Sequence, residues 1–337
     1  MTSRPTMRSV AARARVSQRT VSNVINNYQH VAPATRQRVL EAIEELGFRP
    51  NAVAQSLRAG RSNIIALVVP KLSWPYFGEI AHRVQIEARR HGYTVLVAET
   101  QGLISEELDA VEHFGGHLVD GVIFSPIETQ ASDLERLDLR VPMVLVGESL
   151  RGSGLPHFEI DGLAAGTQIA KHLYEAGARS FTVVGSTTTS MTAGPGPLRL
   201  KGFVCGLTQC GIPDRAIDTV SAPWTYKGAY RAVLEHLATV DVSDAIINMN
   251  DIMAVGTIRA LADLGMKVPN DVLVTGWDNT PESRYTVPAL TTISPDKRTL
   301  AKNAVETLKR LIQGQTHCAD PAPIPHELVV RESTGRP

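Results

Sequence analysis

The chain has 337 residues, of which 43% are hydrophobic and 20% charged, and its formal net charge at neutral pH is zero. This composition is ordinary for a globular protein and excludes a largely disordered chain, and the length predicts two or three compact units. There is no apolar stretch long enough to cross a bilayer, no signal-peptide core behind the first arginines and no C-x-x-C pair among the three cysteines. We therefore expect a cytoplasmic protein that binds no membrane, metal or cofactor.

The charges are distributed unevenly along the chain. Residues 1–61 contain ten arginines, no lysine and three acidic residues, a net charge of about +7 that the acidic remainder balances. A small basic segment on a larger acidic body is typical of nucleic-acid binding confined to one end. A solvated basic tail would carry the same charge, but the apolar residues of this segment are periodic, which favours a folded unit.

Three short helices are predicted in this basic segment. Residues that cap, start or stop helices stand at their boundaries, namely Thr6, Ser17, Pro33 and Gly47. The apolar positions that repeat at helical spacing are Val10, Ala11, Ala14, Val21, Val24, Ile25, Val39, Leu40, Ile43 and Leu46. Two short helices around a tight turn at Arg15-Val16, with a third closing the core, predict a helix-turn-helix unit.

The second predicted helix presents residues suited to base edges near its start. Gln18, Arg19 and Asn23 fall on its outward side. Arginine matches guanine O6 and N7, and glutamine or asparagine matches adenine N6 and N7. Three exposed polar residues on a surface helix are an equal alternative for these positions alone, and the surrounding pattern favours DNA.

At this point the chain resembles the LacI/GalR family of transcription regulators. The resemblance rests on three motifs in family order and spacing: Val16–Asn26, Leu46–Asn51 with Thr35-Arg36 before it, and Ala54–Leu57. Arg15 departs from the turn glycine usual in the family, which costs about 1 kcal/mol if that position needs a positive φ. Ala32 also departs, since the family usually has a capping serine or threonine there.

The resemblance implies a homodimer that binds a palindromic double-stranded DNA operator. Residues 1–50 would be the DNA-binding domain and 51–61 a hinge helix and linker, in which Leu57 enters the minor groove. Packing of Leu57 against the body is the alternative. The residues expected to contact DNA are Ser17, Gln18, Arg19, Thr20, Ser22, Asn23, Asn26, His30, Thr35, Asn51 and Leu57.

Residues 62–337 alternate buried strands with amphipathic helices, which predicts parallel sheets covered by helices on both faces. The predicted strands are Ile64–Val69, Thr94–Ala98, Val119–Phe124, Met143–Val146, Thr182–Val184, Ala245–Ile247 and Val272–Thr275, and the predicted helices are Phe77–His91, Gly162–Ala176, Tyr226–Thr239 and Asp251–Leu264. So many strands favour two doubly wound subdomains. The resemblance implies a periplasmic-binding-protein-like body whose subdomains comprise about 62–161 with 294–322, and about 162–293 with 323–337.

Ligands of such a body bind beyond the carboxyl ends of the strands. Arg199, Trp224, Asn250 and Asp278 fall at these ends, and a guanidinium, a carboxylate and an aromatic face suit a sugar. Weaker candidates on the opposite wall are Trp74, Tyr76, Phe77 and Ser125.

Each candidate also has a structural alternative. Asn250 is as easily a helix cap, Trp224 a core residue, and Arg199 with Asp278 a surface ion pair. Gly147 stands where some sugar-binding members have an acid, and Glu148 beside it is a possible substitute.

Enzyme chemistry finds no support, because the chain lacks G-x-S-x-G, P-loop and H-E-x-x-H motifs. His113 and His117 are spaced as metal ligands on a helix, but the intervening glycines argue against a helix there. Gly194–Pro197 is predicted to be a turn. The sequence predicts a repressor controlled by a sugar-like effector; a purine, a phosphorylated metabolite, or a transport receptor of the same architecture is the alternative.

Overall fold

A computed structural model describes residues 5–25, 28–48, 61–115, 118–137, 140–150, 152–186, 195–315 and 322–335. The chain divides into two compact units, Met1–Ser62 and Asn63–Pro337, which we call the head and the body. Among the described helices, none is long and apolar enough to cross a membrane. Asn26 and the predicted hinge residues Asn51 and Leu57 lie outside the described residues.

The head contains helices α1 (Met7–Ala14), α2 (Gln18–Ile25) and α3 (Pro33–Leu46). The predicted caps are confirmed: Ser9 N donates to Thr6 Oγ1 at 3.2 Å, and Thr20 N donates to Ser17 Oγ at 3.1 Å. Gly47 ends α3 with a φ of 60°. The helices enclose a small core of Val10, Ala11, Ala14, Val21, Val24, Val39, Ala42 and Phe48.

The structure explains the backbone conformation of Arg15 and corrects the predicted burial of Leu40. Arg15 has a φ of 55°, so the turn does require the left-handed conformation that the family glycine supplies. Leu40 was predicted on the apolar face of α3, and this is wrong, because it is exposed. The buried face of α3 contains Val39 and Ala42 instead. Leu40 follows Val39 directly and so points about 100° away from it around the helix, towards solvent.

The first lobe of the body is a five-stranded parallel sheet with the order β2-β1-β3-β4-β5. Its strands are β1 (Ile64–Val69), β2 (Thr94–Glu99), β3 (Gly121–Phe124), β4 (Met143–Val146) and β5 (His157–Phe158). Its helices are α4 (Pro75–Arg90), α5 (Ile104–Gly115), α6 (Ala131–Leu134) and, from far along the chain, α11 (Lys297–Ile312). Helix α11 packs on α4 and covers β3, β4 and β5.

The second lobe is a six-stranded sheet with the order β11-β10-β9-β8-β6-β7, parallel except for β11 against β10. Its strands are β6 (Phe181–Val184), β7 (Ile217–Val220), β8 (Ala245–Asn248), β9 (Leu273–Trp277), β10 (Thr291–Pro295) and β11 (His326–Val329). Its helices are α7 (Gly162–Glu175), α8 (Pro195–Gln209), α9 (Tyr226–Leu237) and α10 (Asp251–Asp263). Strands β7 to β10 with β6 repeat the strand order of the first lobe, so both lobes are doubly wound as predicted.

The predicted strands match observed ones to within two residues at each end, and one prediction about a loop is wrong. The segment Gly194–Pro197 was predicted as a turn, but α8 begins at Pro195, because a proline in the first helical turn loses no hydrogen bond. His113 lies in α5, which ends at Gly115, and His117 lies outside the described residues, so the absence of a helix through both histidines stays a prediction. The residue limits given above for the hinge and the subdomains stay predictions.

Candidate functional site

The carboxyl ends of strands from both lobes open onto one cavity of about 610 Å³, counting the space open to solvent. Segments after β1, β3 and β4 line it from the first lobe, and segments after β6, β7, β8 and β9 from the second. All eight residues that the sequence assigned to the effector line it: Trp74, Tyr76, Phe77, Ser125, Arg199, Trp224, Asn250 and Asp278. The structure therefore brings these residues together, and their contact with a ligand stays a prediction.

Three aromatic side chains of the first lobe form one wall of the cavity. They surround the start of α4, where Pro75 occupies the first helical turn. The rings of Trp74 and Phe77 stack with centroids 6.0 Å apart, and Tyr76 meets Phe77 edge-on at 5.1 Å. Burial raises the pKa of Tyr76, and neighbouring carboxylates add to the rise. Its hydroxyl stays protonated at neutral pH and can both donate and accept a hydrogen bond.

Arg199 of α8 forms a buried ion pair with Glu148, which follows β4 in the other lobe. Nη2 lies 2.6 Å from Oε1, Nε lies 3.1 and 3.2 Å from the two carboxylate oxygens, and the side chains are 8% and 6% exposed. The guanidinium also donates to the Met249 carbonyl and lies 4.3 Å from the Trp277 ring. Burial alone would lower the pKa of Arg199, but the carboxylates of Glu148 and Asp278 outweigh it and raise the pKa. The alternative of a surface pair between Arg199 and Asp278 is therefore wrong.

Two glycines bring the backbones of α7 and α8 into contact. A Cβ on Gly202 would lie 2.6 Å from the Leu163 carbonyl oxygen, and a Cβ on Gly166 would lie 2.8 Å from that of Arg199. Any larger residue at either position would separate the helices. This close approach fixes where α8 presents Arg199 to the cavity.

Asp278 combines three unfavourable features. Its φ is 118°, a region that non-glycine residues occupy at a cost of about 1–3 kcal/mol. Its side chain is buried at 9% exposure, and among the described residues no hydrogen-bond donor meets its carboxylate. Burial raises its pKa well above the ordinary value, and Arg199 opposes that rise. A strained, buried and unpaired carboxylate facing a cavity indicates a binding group more than a structural one.

Asn250 caps α10, as the structural alternative predicted. Met253 N donates to Asn250 Oδ1 at 2.9 Å, and the residue lines the cavity as well. The next residue, Asp251, is fully buried and accepts hydrogen bonds from Thr292 Oγ1 at 2.6 Å and Thr280 N at 2.7 Å. Burial raises the pKa of Asp251 to about 6, against the opposing effect of these hydrogen bonds.

Trp224 is fixed by its indole edge. Nε1 donates to the Gly185 carbonyl at 2.9 Å, and the Arg199 guanidinium carbon lies 5.4 Å from the ring. The side chain is almost completely buried, as a core residue would be, and also lines the cavity. Its ring is held in place in a wall of the cavity.

Sequence reasoning missed nine residues of the lining and a buried glutamate that holds one of the lining loops in place. Glu107 of α5 is fully buried and accepts hydrogen bonds from Ile127 N at 2.6 Å and from the backbone and hydroxyl of Thr129 at 2.9 and 2.6 Å. It thereby shapes the loop after β3, and no sequence signal distinguishes it from a surface glutamate. The lining residues not assigned to the site are Pro75, Pro126, Ile127, Gly147, Glu148, Ser149, Pro195, Ile252 and Thr280.

The described candidate DNA contacts of the head are all at least partly accessible. Ser17, Gln18, Arg19 and His30 are exposed, and Thr20, Ser22, Asn23 and Thr35 are partly exposed. The side chains of Gln18 and Arg19 form no hydrogen bond or ion pair with another described residue. Their polar groups are therefore available to an external partner.

Comparison with known proteins finds a matching family model in each of the two units. Residues 6–51 match the family model "Bacterial regulatory proteins, lacI family", and residues 170–334 match "Periplasmic binding protein-like domain". The "HTH-type transcriptional repressor PurR" of Photobacterium profundum is 31% identical over 330 residues, 97% of this chain and 98% of its own length. The chain belongs to the lacI family of bacterial regulatory proteins.

Solved structures of LacI-type proteins share the fold. A lac repressor dimer bound to operator and the anti-inducer ONPF has a TM-score of 0.88 at 27% identity, covering 98% of this chain and 99% of its own. A complex of the transcriptional regulator CelR with cellobiose has a TM-score of 0.70 at 28% identity, covering 98% and 100%. The family and fold expected from the sequence are therefore confirmed.

One further group of described residues has the geometry of a metal site. Ligand atoms of Glu87 on α4, of His91 directly after α4 and of Glu306 on α11 lie within 4.8 Å of one another. Arg90 Nη1 already donates to Glu87 at 2.8 Å, and Lys309 Nζ lies 3.3 Å from His91 Nδ1. Arg90 thus already neutralises Glu87, and Lys309 lies against His91, so we assign no metal to this group.

Proposed function

We propose that this lacI-family protein is a dimeric transcriptional repressor whose affinity for a palindromic operator is controlled by a neutral, sugar-like effector bound in the cavity. The observation that carries the effector assignment is the unpaired, buried carboxylate of Asp278 beside the Arg199–Glu148 pair. A polyol brings hydroxyl donors to that carboxylate and apolar C–H faces to the aromatic walls.

The DNA part of the proposal rests on the head. Its positive charge is concentrated in about 60 residues, and Gln18 and Arg19 at the start of α2 are exposed and free of described partners. The relative named above is a transcriptional repressor, and the lac repressor neighbour is an operator-bound dimer. A twofold dimer reads an inverted repeat, because each half-site meets the same helix.

The charges of the cavity favour a neutral effector over a phosphorylated one. Arg199 is engaged by Glu148, so its charge is already neutralised. Asp278 and Asp251 add negative potential beside this pair, which opposes the binding of a phosphate. The CelR neighbour binds cellobiose, which agrees with a sugar.

A purine is the second candidate, because aromatic rings line both sides of the cavity. Trp74 and Phe77 belong to the first lobe and Trp224 to the second, so a flat base could lie between them. The two candidates differ in what they offer Asp278: a sugar brings hydroxyl donors, and a purine brings ring N–H or amino donors.

Tryptophan fluorescence of the full chain can decide between them. The chain has three tryptophans; Trp74 and Trp224 line the cavity and Trp277 precedes Asp278, so the whole signal reports on this site. Titration with monosaccharides, disaccharides, sugar phosphates and purines should give a saturable change with a neutral sugar. Asp278→Asn should abolish that change, and saturation by purines alone would overturn the sugar assignment.

The DNA assignment has its own test. Operator selection from random duplexes should return an inverted repeat, and Arg19→Ala should weaken binding by about 1–3 kcal/mol while relaxing one symmetric base position. An equal loss on every sequence would reduce Arg19 to a phosphate contact. Asp278→Asn should bind the selected operator as the parent does and no longer respond to the sugar.

A further inference from the structure

Lys297 occupies a position that its helix does not explain. It is the first residue of α11, yet its side chain is only 6% exposed. A cation at a helix N-terminus lies at the unfavourable end of the helix dipole, and a buried ammonium group is costly unless it is paired. The reason for its placement must therefore lie in its partners.

The partners of Lys297 come from both lobes. Nζ forms an ion pair with Glu79 of α4 and donates to the backbone carbonyl of Asn279 at 3.1 Å. It also lies 5.8 Å from the centroid of the Tyr76 ring, in the aromatic wall. Helices α4 and α11 pack together in the first lobe, whereas Asn279 follows β9 in the second. The ammonium group thus joins the two lobes beside the cavity.

The segment that Lys297 holds is the strained turn that carries Asp278. Asp278 and Asn279 have consecutive φ values of 118° and 48°, and such backbone persists only where surrounding contacts fix it. Within the second lobe, the Asn279 side chain accepts from Arg331 at 2.6 Å and donates to Ser294 at 3.0 Å. Lys297 supplies the contact from the opposite lobe.

We infer that Lys297 is a positioning residue: paired with Glu79, it holds the Asp278–Asn279 turn against the first lobe and so couples the binding carboxylate to the separation of the lobes. This deepens the proposed function, because it assigns a means by which the effector site and lobe movement influence each other. Opening of the lobes withdraws the ammonium group from the Asn279 carbonyl and releases the turn.

The electrostatics of the turn agree with this role. The charge of Lys297 lowers the pKa of Asp278 and of Asp251, against the burial that raises both. Arg199 acts on Asp278 in the same direction as Lys297, whereas Glu148 and Asp251 act in the opposite direction. Lys297 therefore favours the ionised form of the carboxylate that it positions.

Hydrogen exchange of the full-length protein without added ligand tests the inference. The amides of Asp278, Asn279 and Thr280 donate to Ile293 O, Thr292 Oγ1 and Asp251 Oδ2, so all three give a measurable protection. Lys297→Met, which keeps the aliphatic stem, should speed exchange in this segment by about tenfold and leave the central turns of α11 unchanged.

Matched variants make the outcome decisive. Lys302→Met removes an exposed lysine from the same helix and should exchange as the parent does. Lys297→Arg should restore most of the protection, and Glu79→Gln, at a partly exposed position, should give an intermediate rate. Unchanged exchange in Lys297→Met, or an equal increase throughout both lobes, would overturn the positioning role.

A second readout follows the lobes themselves. Lys297→Met should roughly double acrylamide quenching of the cavity tryptophans, because Trp74 and Trp224 become accessible as the lobes separate. Quenching equal to that of the parent would also overturn the inference. Both measurements use no ligand, so failure of the sugar titration would overturn the effector assignment alone.

Discussion

Removal of Glu148 should cost the body a large part of its stability. Glu148→Ala leaves the Arg199 guanidinium buried without the carboxylate that meets it in three contacts of 2.6–3.2 Å. Breaking a buried pair by removing one partner costs about 3–5 kcal/mol. The Trp277 ring at 4.3 Å and the Met249 carbonyl still stabilise the cation, which puts the expected loss near the lower limit, about 3 kcal/mol.

This loss converts into a measurable change in melting temperature. The unfolding entropy is about 2.1 cal/mol/K per residue, so a body of about 275 residues unfolds with about 0.6 kcal/mol/K. A loss of about 3 kcal/mol then lowers its Tm by about 5 °C. Glu148→Gln keeps an acceptor of the same shape and should lower the Tm by about 2 °C.

Thermal unfolding followed by circular dichroism at neutral pH checks these values. Asp263→Ala is the matched control, because it removes only solvent-exposed contacts, the ion pair with Arg259 in α10 and the hydrogen bond from the Tyr230 hydroxyl at 3.0 Å, and should leave the Tm almost unchanged. The reasoning is refuted if Glu148→Ala unfolds within 1 °C of the parent, or if Asp263→Ala lowers the Tm as much.

Three further predictions concern the same body. Glu107→Gln should destabilise it by about 2–4 kcal/mol in urea titrations, because the new amide group would face donors of the loop after β3 where a carboxylate now accepts; a loss below 1 kcal/mol would contradict this. Gly202→Ala should destabilise the body and weaken sugar binding together, since the added Cβ pushes α8 and Arg199 away from α7, whereas Gly265→Ala, in an open turn, should leave sugar binding unchanged. Burial raises the pKa of Asp251 in the folded state to about 6 from 3.8, so the native state binds this proton more tightly than the unfolded chain does. This carboxyl therefore lowers the free energy of unfolding by about 2.4 kcal/mol as the pH rises from 4 to 7, and Asp251→Asn should lose that part of the pH dependence.

The cavity residues could be predicted because parallel strands converge. Trp74, Asn250 and Asp278 each follow a short run of β-branched residues, and the carboxyl ends of such strands meet in a doubly wound sheet whatever their distance in sequence. How far a residue lies along the chain from the end of a strand can be read from a single sequence, so these cavity residues could be predicted.

The partners of these residues could not be predicted in the same way. Glu148 and Arg199 are 51 positions apart and lie in different lobes, so their pairing depends on how the lobes face each other. Lys297 pairs with Glu79 across 218 positions for the same reason. Strands β5, β7, β10 and β11 were missed. Strand β5 has two residues, β7 and β11 are only partly buried, and β10 has a single aliphatic residue in TTISP, so none has a continuous apolar run.

The return of α11 to the first lobe affects how the protein folds during synthesis. All five strands of the first sheet have been made once residue 158 is translated, but the helix that covers β3, β4 and β5 begins about 140 residues later. Until Leu300, Val305 and Leu308 reach that face, the nascent chain presents uncovered apolar strands to the solvent. A ribosome that stalls within the second lobe therefore holds an aggregation-prone intermediate, and cells short of chaperones should lose this protein through that intermediate before its native state is reached.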